Sequence, residues 1–188
     1  MKRLFFATKI ELDDNFTSIL QKLKKNTSFD TISWVEKENL HLTLRFLGKT
    51  PESKISTLIE QVTPIFQKQS TIELKMNRIA IFGSRYKPTV IWLGFEGNDE
   101  MKILFEKIEA KVQEVGFEPN QGNFVPHVTI GRIKNILNKK RFSELISQLQ
   151  PTSSQNLSIH NWSLYQSNLN NKGVEYRIIK DWNREDAY

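Results

Sequence analysis

Strand-like and helix-like segments alternate along this 188-residue chain, which places it in the mixed class, α/β or α+β. A second observation adds architecture. The tripeptide His-x-Thr occurs twice, as His41-Leu42-Thr43 and His127-Val128-Thr129, 86 positions apart (127 − 41). That separation is close to half the chain and predicts two similar lobes, each giving one motif strand to a shared cleft. No long linker or low-complexity stretch intervenes, so a single domain over 1–188 with two interleaved lobes is expected.

The elements follow in order. Leu4 to Ile10 is a strand. Asp13-Asp14 caps a helix whose apolar residues Phe16, Ile19, Leu20 and Leu23 recur at helical spacing. Trp34-Val35 is a short extended piece, and His41 to Leu47 is a strand closed by Gly48. Thr50 as cap and Pro51 at the first helical position open a second helix, with Ile55, Leu58, Ile59, Val62 and Phe66 as its apolar stripe. Ile72 to Phe82 and Thr89 to Phe95 read as strands flanking a turn at Gly83-Ser84. Asn98 to Val115 is a helix that turns Leu104, Ile108, Ala110 and Val112 inward and stops at Gly116. Val125 to Ile133 is the second motif strand, and Asn138 to Leu149 a short basic helix. Leu157 to Gln166 and Val174 to Trp182 pair as a hairpin across Asn170-Asn171-Lys172-Gly173.

Composition narrows the function. Lys and Arg number 27 against 21 acids, a net charge of +6, which favours an anionic partner such as a nucleotide or RNA. The absence of cysteine excludes disulfides, thiol catalysis and cysteine-based zinc sites and suits a reducing compartment. Lys9 and Glu11 break the first apolar run too early for a signal peptide. No segment reads as a membrane span, so a cytoplasmic protein, monomeric by default, is expected.

The motifs carry the chemistry. Successive side chains of a strand point to opposite faces. His41 and Thr43 therefore share one face against Leu40, Leu42 and Leu44, and His127 and Thr129 oppose Val128 and Ile130. Ordinary strand histidines beside β-forming threonines are the bland alternative. A metal site has less support, because neither motif has a carboxylate at helical spacing. No G-x-S-x-G elbow supports a Ser-His-Asp triad. A paired acid–base site on a phosphate fits better. One imidazole takes a proton from the nucleophile, the other gives one to the leaving oxygen, and hydroxyls and arginines hold the charged oxygens. On strict alternation Arg45 falls on the His41/Thr43 face. Arg132 falls on the Val128/Ile130 face and needs a bulge, a strand end or a twist to reach the cleft. His160 has no threonine partner and reads as an ordinary strand histidine. Trp34, Phe82, Trp92, Trp162 and Tyr165 are potential base-stacking rings that more often serve a core. The basic run from Asn138 to Arg141 is usually a solvated helix start.

With its flanks the pattern becomes specific. Arg3-Leu4-Phe5-Phe6-Ala7, Trp34, His41-Leu42-Thr43-Leu44-Arg45-Phe46-Leu47-Gly48, Pro88 to Gly94, and Phe124 to Arg132 occur in that order. The chain thereby resembles the two-histidine phosphoesterase superfamily, in the branch of RNA 2′,3′-cyclic phosphodiesterases, also called 2′-5′ RNA ligase-like proteins. The resemblance implies an α+β bilobal fold, two pseudo-symmetric lobes of antiparallel sheet flanked by helices around a central cleft, with no metal and no cofactor. It implies His41 as proton donor to the departing ribose oxygen and His127 as proton acceptor from water, with Thr43 and Thr129 on the phosphoryl oxygens. Arg132 enters as a phosphate contact by resemblance, Arg45 by strand geometry. The implied partner is RNA or an oligonucleotide ending in a 2′,3′-cyclic phosphate, with ATP-independent 2′-5′ joining as the reverse reaction. Two alternatives are a metal-independent phosphoesterase on another small cyclic or ADP-ribose-derived phosphate, and a non-catalytic RNA-end binding module.

Overall fold

Local sequence signals set most element ends in the computed structural model, which describes residues 1–84, 86–97, 99–170 and 173–183. The Asp13 carboxylate accepts the Phe16 amide at 2.8 Å and starts α1 (Asp14–Asn26). Asn138 caps α4 (Lys139–Gln148) in the same way through the Arg141 amide at 3.0 Å. Gly116, in the left-handed region at φ +84°, follows the end of α3 (Asp99–Glu114). The second helix departs from expectation. Thr50 is the buried last residue of a strand, Glu52–Lys54 is a 3₁₀ turn, and α2 starts at Ile55 (Ile55–Lys68). The Thr50 hydroxyl bonds the Gly48 carbonyl instead of capping a helix.

The strands are β1 (Lys2–Lys9), β2 (Thr31–Trp34), β3 (His41–Thr50), β4 (Ile72–Ser84), β5 (Lys87–Glu96), β6 (His127–Asn135), β7 (Gln155–Ile159), β8 (Trp162–Asn170) and β9 (Gly173–Trp182). Among the described residues they form one nine-stranded sheet in the order β7-β4-β5-β6-β3-β1-β8-β9, with β2 on β6, and every pair is antiparallel. With four helices this is an α+β fold. Read outward from the middle, β3-β1-β8-β9 mirrors β6-β5-β4-β7, so the two motif strands are central neighbours.

Two sequence expectations change here. The strand expected over Leu157 to Gln166 is broken after Ile159. Its first part pairs with β4 at one end of the sheet, and its second part pairs with β1 in the other half. Ala110, expected inward, is exposed, while Met101 joins Leu104, Ile108 and Val112 in the core. The expected turn residues Asn171 and Lys172, and Asn98 at the expected helix start, lie outside the described residues.

Leu42 of β3 and Val128 of β6 turn into an apolar core that also takes Leu58 and Val62 of α2 and Leu104 and Ile108 of α3, all without exposed surface. No described helix is long and apolar enough to cross a membrane.

Candidate active site

The central strands touch through a single register pair, Leu42 opposite Val128. Continuing that antiparallel register by one residue each way sets His41 opposite Thr129 and Thr43 opposite His127. Because the strand period is two, all four lie on the face turned away from the core. His41 and His127 are then diagonal neighbours, whose backbones stand about 7–8 Å apart. The structure thus brings together both expected histidines and both expected threonines.

Each imidazole is held in one orientation. Nδ1 of His41 donates to the Asn39 carbonyl at 2.7 Å, and Nδ1 of His127 donates to the Val125 carbonyl at 2.7 Å. A carbonyl only accepts, so the proton of each neutral ring sits on Nδ1 and Nε2 is left for chemistry. Each ring is also wedged between aromatics. Phe5 and Tyr176 lie 5.0 and 5.1 Å from His41, and Phe82 and Trp92 lie 4.8 and 5.9 Å from His127, between ring centroids. Burial is the largest influence on both rings and pulls each below the ordinary histidine pKa. The carbonyl bonds oppose this, and the Arg132 charge lowers both further; His127 adds to the lowering at His41. Both imidazoles are therefore biased toward the neutral form in the free protein.

The two candidate arginines part company. In β3 the pairing with β1 jumps from Ala7–Thr43 to Phe6–Arg45, and in β6 the pairing with β5 jumps from Trp92–Thr129 to Ile91–Gly131. Each jump is a bulge of one extra residue, Leu44 or Ile130, and it reverses the facing of the residues that directly follow it. Arg132 thereby meets the condition set for it and lines the cleft with His41 and Thr43. Arg45 is turned inward, against the strict-alternation expectation that it reaches a phosphate. It is buried, ion-paired with Glu109, and donates to the Phe46 carbonyl at 2.5 Å and the Glu118 carbonyl at 2.6 Å. That guanidinium anchors α3 and the chain after it, and is buried away from the cleft face.

Beside His41 a cleft of about 410 Å³ is lined by Arg3, Phe5, Thr43, Phe46, Arg132 and Tyr176, among others. In the sequence Arg3 and Phe46 stand only as flanks of the motifs, and Tyr176 is not singled out. Phe46 is 43% exposed with the Arg3 guanidinium 5.0 Å over its ring; a large apolar residue on the ligand face, once the bulge is counted, is the signal that finds it. Tyr176 arrives from β9 by long-range pairing that no local pattern reveals. Burial raises its hydroxyl pKa, and Arg132 and Arg3 partly offset this.

Of the other residues considered, Trp162 is core and His160 sits on the break between β7 and β8, its Nδ1 on the Ser158 carbonyl at 3.1 Å. Phe82 and Trp92 stack on each other beside His127 at 4.8 Å, and Tyr165 stacks on Phe5 at 5.3 Å. Among the described residues no three His, Asp or Glu side chains gather as a metal site.

The chain is similar to known proteins. The pattern of the family described as LigT like Phosphoesterase matches residues 10–92 and 96–176. The RNA 2′,3′-cyclic phosphodiesterase of Methanocaldococcus jannaschii is 33% identical over 180 residues, covering 96% of this chain and 99% of the relative. That of Thermotoga maritima is 30% identical over 179 residues, covering 94% and 92%. In fold, the crystal structure of Escherichia coli LigT with 3′-AMP superposes with a TM-score of 0.70 at 22% identity, covering 96% of this chain and 97% of that one.

Proposed function

The chain belongs to the LigT-like phosphoesterase family, and from that premise we propose that it hydrolyses a terminal 2′,3′-cyclic phosphate of RNA or an oligonucleotide to a 2′-phosphate. The observation that carries this reading is the pair of imidazoles, each with Nδ1 tied to a backbone carbonyl, on one face of adjacent strands with a threonine hydroxyl beside each.

In-line displacement at the cyclic phosphate needs a base on the nucleophile and an acid on the leaving oxygen, on opposite sides of phosphorus. His127 takes a proton from water as its oxygen bonds to phosphorus. His41 gives a proton to O3′ as the P–O3′ bond breaks. Thr43 and Thr129 donate to the non-bridging oxygens, and Arg132 offsets their charge. The cleft beside His41, with its rings and Arg3, suits the nucleoside that carries the leaving oxygen. The bound anion raises both histidine pKa values, which favours the protonated His41 that the free protein disfavours. The roles assigned here need no metal and no cofactor. With a 5′-hydroxyl in place of water, the same two proton transfers join ends through a 2′-5′ bond. The protein is read as one cytoplasmic domain with two interleaved lobes, active as a monomer.

The test is incubation of an RNA ending in 2′,3′-cyclic phosphate, with and without EDTA, and location of the phosphate in the product. A 2′-phosphate formed at the same rate under both conditions is expected. A 3′-phosphate would reverse the leaving oxygen, and loss on chelation with rescue by a divalent ion would replace the two-histidine mechanism by metal-assisted hydrolysis.

A further inference from the structure

Water requires little of the protein beyond His127, yet the His127 side of the cleft carries more than water needs. Across the sheet, His127 pairs with Gly94, and Gly94 pairs with Arg78. Directly paired residues share a face, so Arg78 stands in the same row as His127, two strands away. The gap between them is open because residue 94 has no side chain. A Cβ there would stand 2.5 Å from Nε and 2.9 Å from Cγ of Arg78, and 2.5 Å from Cζ3 of Trp92. The Arg78 side chain therefore lies across β5 at Gly94 toward β6, not out into solvent beyond β4. Its guanidinium is 5.7 Å from the Trp92 ring, the ring that also touches His127.

Arg78 is exposed and, among the described residues, forms no ion pair. The contrast with Arg45, which is buried, ion-paired with a carboxylate and bonded to two carbonyls, is direct. The indole N–H of Trp92 is buried and also has no acceptor among the described residues. An uncommitted planar cation laid on an aromatic ring, beside the point where the nucleophile arrives, is a site for a phosphate attached to that nucleophile.

We propose that Arg78, laid across Gly94 against Trp92, binds the first internucleotide phosphate of a second polynucleotide end, the one whose 5′-hydroxyl replaces water. The inference rests on the phosphodiesterase reading and deepens it. The 5′-oxygen forms the bond to phosphorus and its proton passes to His127. The P–O3′ bond breaks and O3′ leaves with the proton of His41. A 2′-5′ diester and a free 3′-hydroxyl result, and no water or nucleotide cofactor is consumed.

The experiment supplies a labelled oligonucleotide with a 2′,3′-cyclic phosphate and titrates two acceptors, a 5′-hydroxyl dinucleotide with one internucleotide phosphate and a 5′-hydroxyl nucleoside with none. Wild type is expected to join the dinucleotide at a concentration about tenfold or more below that needed for the nucleoside. Arg78→Ala abolishes that difference, Arg78→Lys keeps part of it, and hydrolysis without acceptor stays within about threefold of wild type because Arg78 contacts neither the donor nor the histidines. Equal use of both acceptors by wild type overturns the proposal. So does a loss of hydrolysis in Arg78→Ala matching its loss of joining, since Arg78 would then serve the donor. Calorimetric binding of the dinucleotide separates the two readings. If the donor is never turned over, the phosphodiesterase reading fails, and unchanged dinucleotide affinity in Arg78→Ala rejects the Arg78 site independently.

Discussion

The two motif strands have the same burial over their first seven positions. His41 to Leu47 and His127 to Ile133 both run half-buried, buried, half-buried, buried, buried, exposed, half-buried. Each carries its bulge three residues after the histidine. The backbone device is duplicated; the side chains on it are not. At the fourth position after histidine stand Arg45 and Gly131, and at the fifth Phe46 and Arg132. On β3 the arginine occupies the inward position and becomes a structural anchor, while on β6 it occupies the outward one and meets the ligand face. One residue of register decides whether a guanidinium holds the fold or serves the cleft.

The two histidines proposed to move protons should break this symmetry most visibly. His41→Ala and His127→Ala are each expected to lower turnover by about 10²–10⁴, and the double variant by far less than the product, since the two act in one transition state. A substrate with an activated leaving group should rescue His41→Ala alone. Equal rescue of both would reverse the assignment of acid and base, and full turnover in either variant would remove the mechanism.

The arginines separate next. Removing Arg45 leaves the Glu109 carboxylate, whose side chain is 12% exposed, without its cation; breaking such a pair costs about 3 kcal/mol, read as a lower denaturation midpoint. Burial pushes Glu109 up, but its bonds from the Asn120 amide and Arg45 outweigh this and hold its pKa below the ordinary value. The stability that follows is present above the unfolded pKa and is lost as pH falls through the folded one. Stability of Arg45→Ala should accordingly depend less on pH in the acid range than that of wild type. Arg132→Ala should melt like wild type and lose about tenfold or more in kcat/KM. Midpoints that fall equally in both variants would show that the bulges do not distinguish the two sites.

The pH profile tests the same asymmetry more gently. With both histidine pKa values lowered, kcat/KM, which reports the free enzyme, should peak below about pH 6.5. Arg132→Ala removes a charge that lowers both, so its profile should move to higher pH. A wild-type maximum above pH 7.5 would contradict the burial of the pair. Smaller still, Thr43→Ala and Thr129→Ala should each cost less turnover than either histidine change, measured on the same substrate.

Alternation made His41, Thr43, His127 and Thr129 legible, because each motif opens before its bulge. Arg45 was misplaced by the same rule, because Leu44 carries no sign in its own identity that it is the extra residue; the mismatch arises against β1. The break after Ile159 was hidden for a related reason, since Leu157 to Gln166 is a good strand pattern and only the partners of its two parts differ. Tyr176 beside His41 depends on β9 reaching the face through β8, a pairing that local propensity does not encode. The helix cap at Asp13 and the stop at Gly116 were readable because each acts within four residues of itself.

The break at His160-Asn161 has a consequence for how the chain is made. It carries the backbone from the outer edge of one half of the sheet to the interior of the other, so β7 completes the first-named half beside β4 and β8 with β9 completes the second beside β1. A nascent chain that has emerged only as far as Gln150 has both motif strands but bare edges at β4 and β1, each a row of unpaired backbone groups open to wrong partners. Synthesis runs N- to C-terminal, so the edges at β4 and β1 stay bare until residues 155 onward have left the ribosome, and both are then covered in close succession.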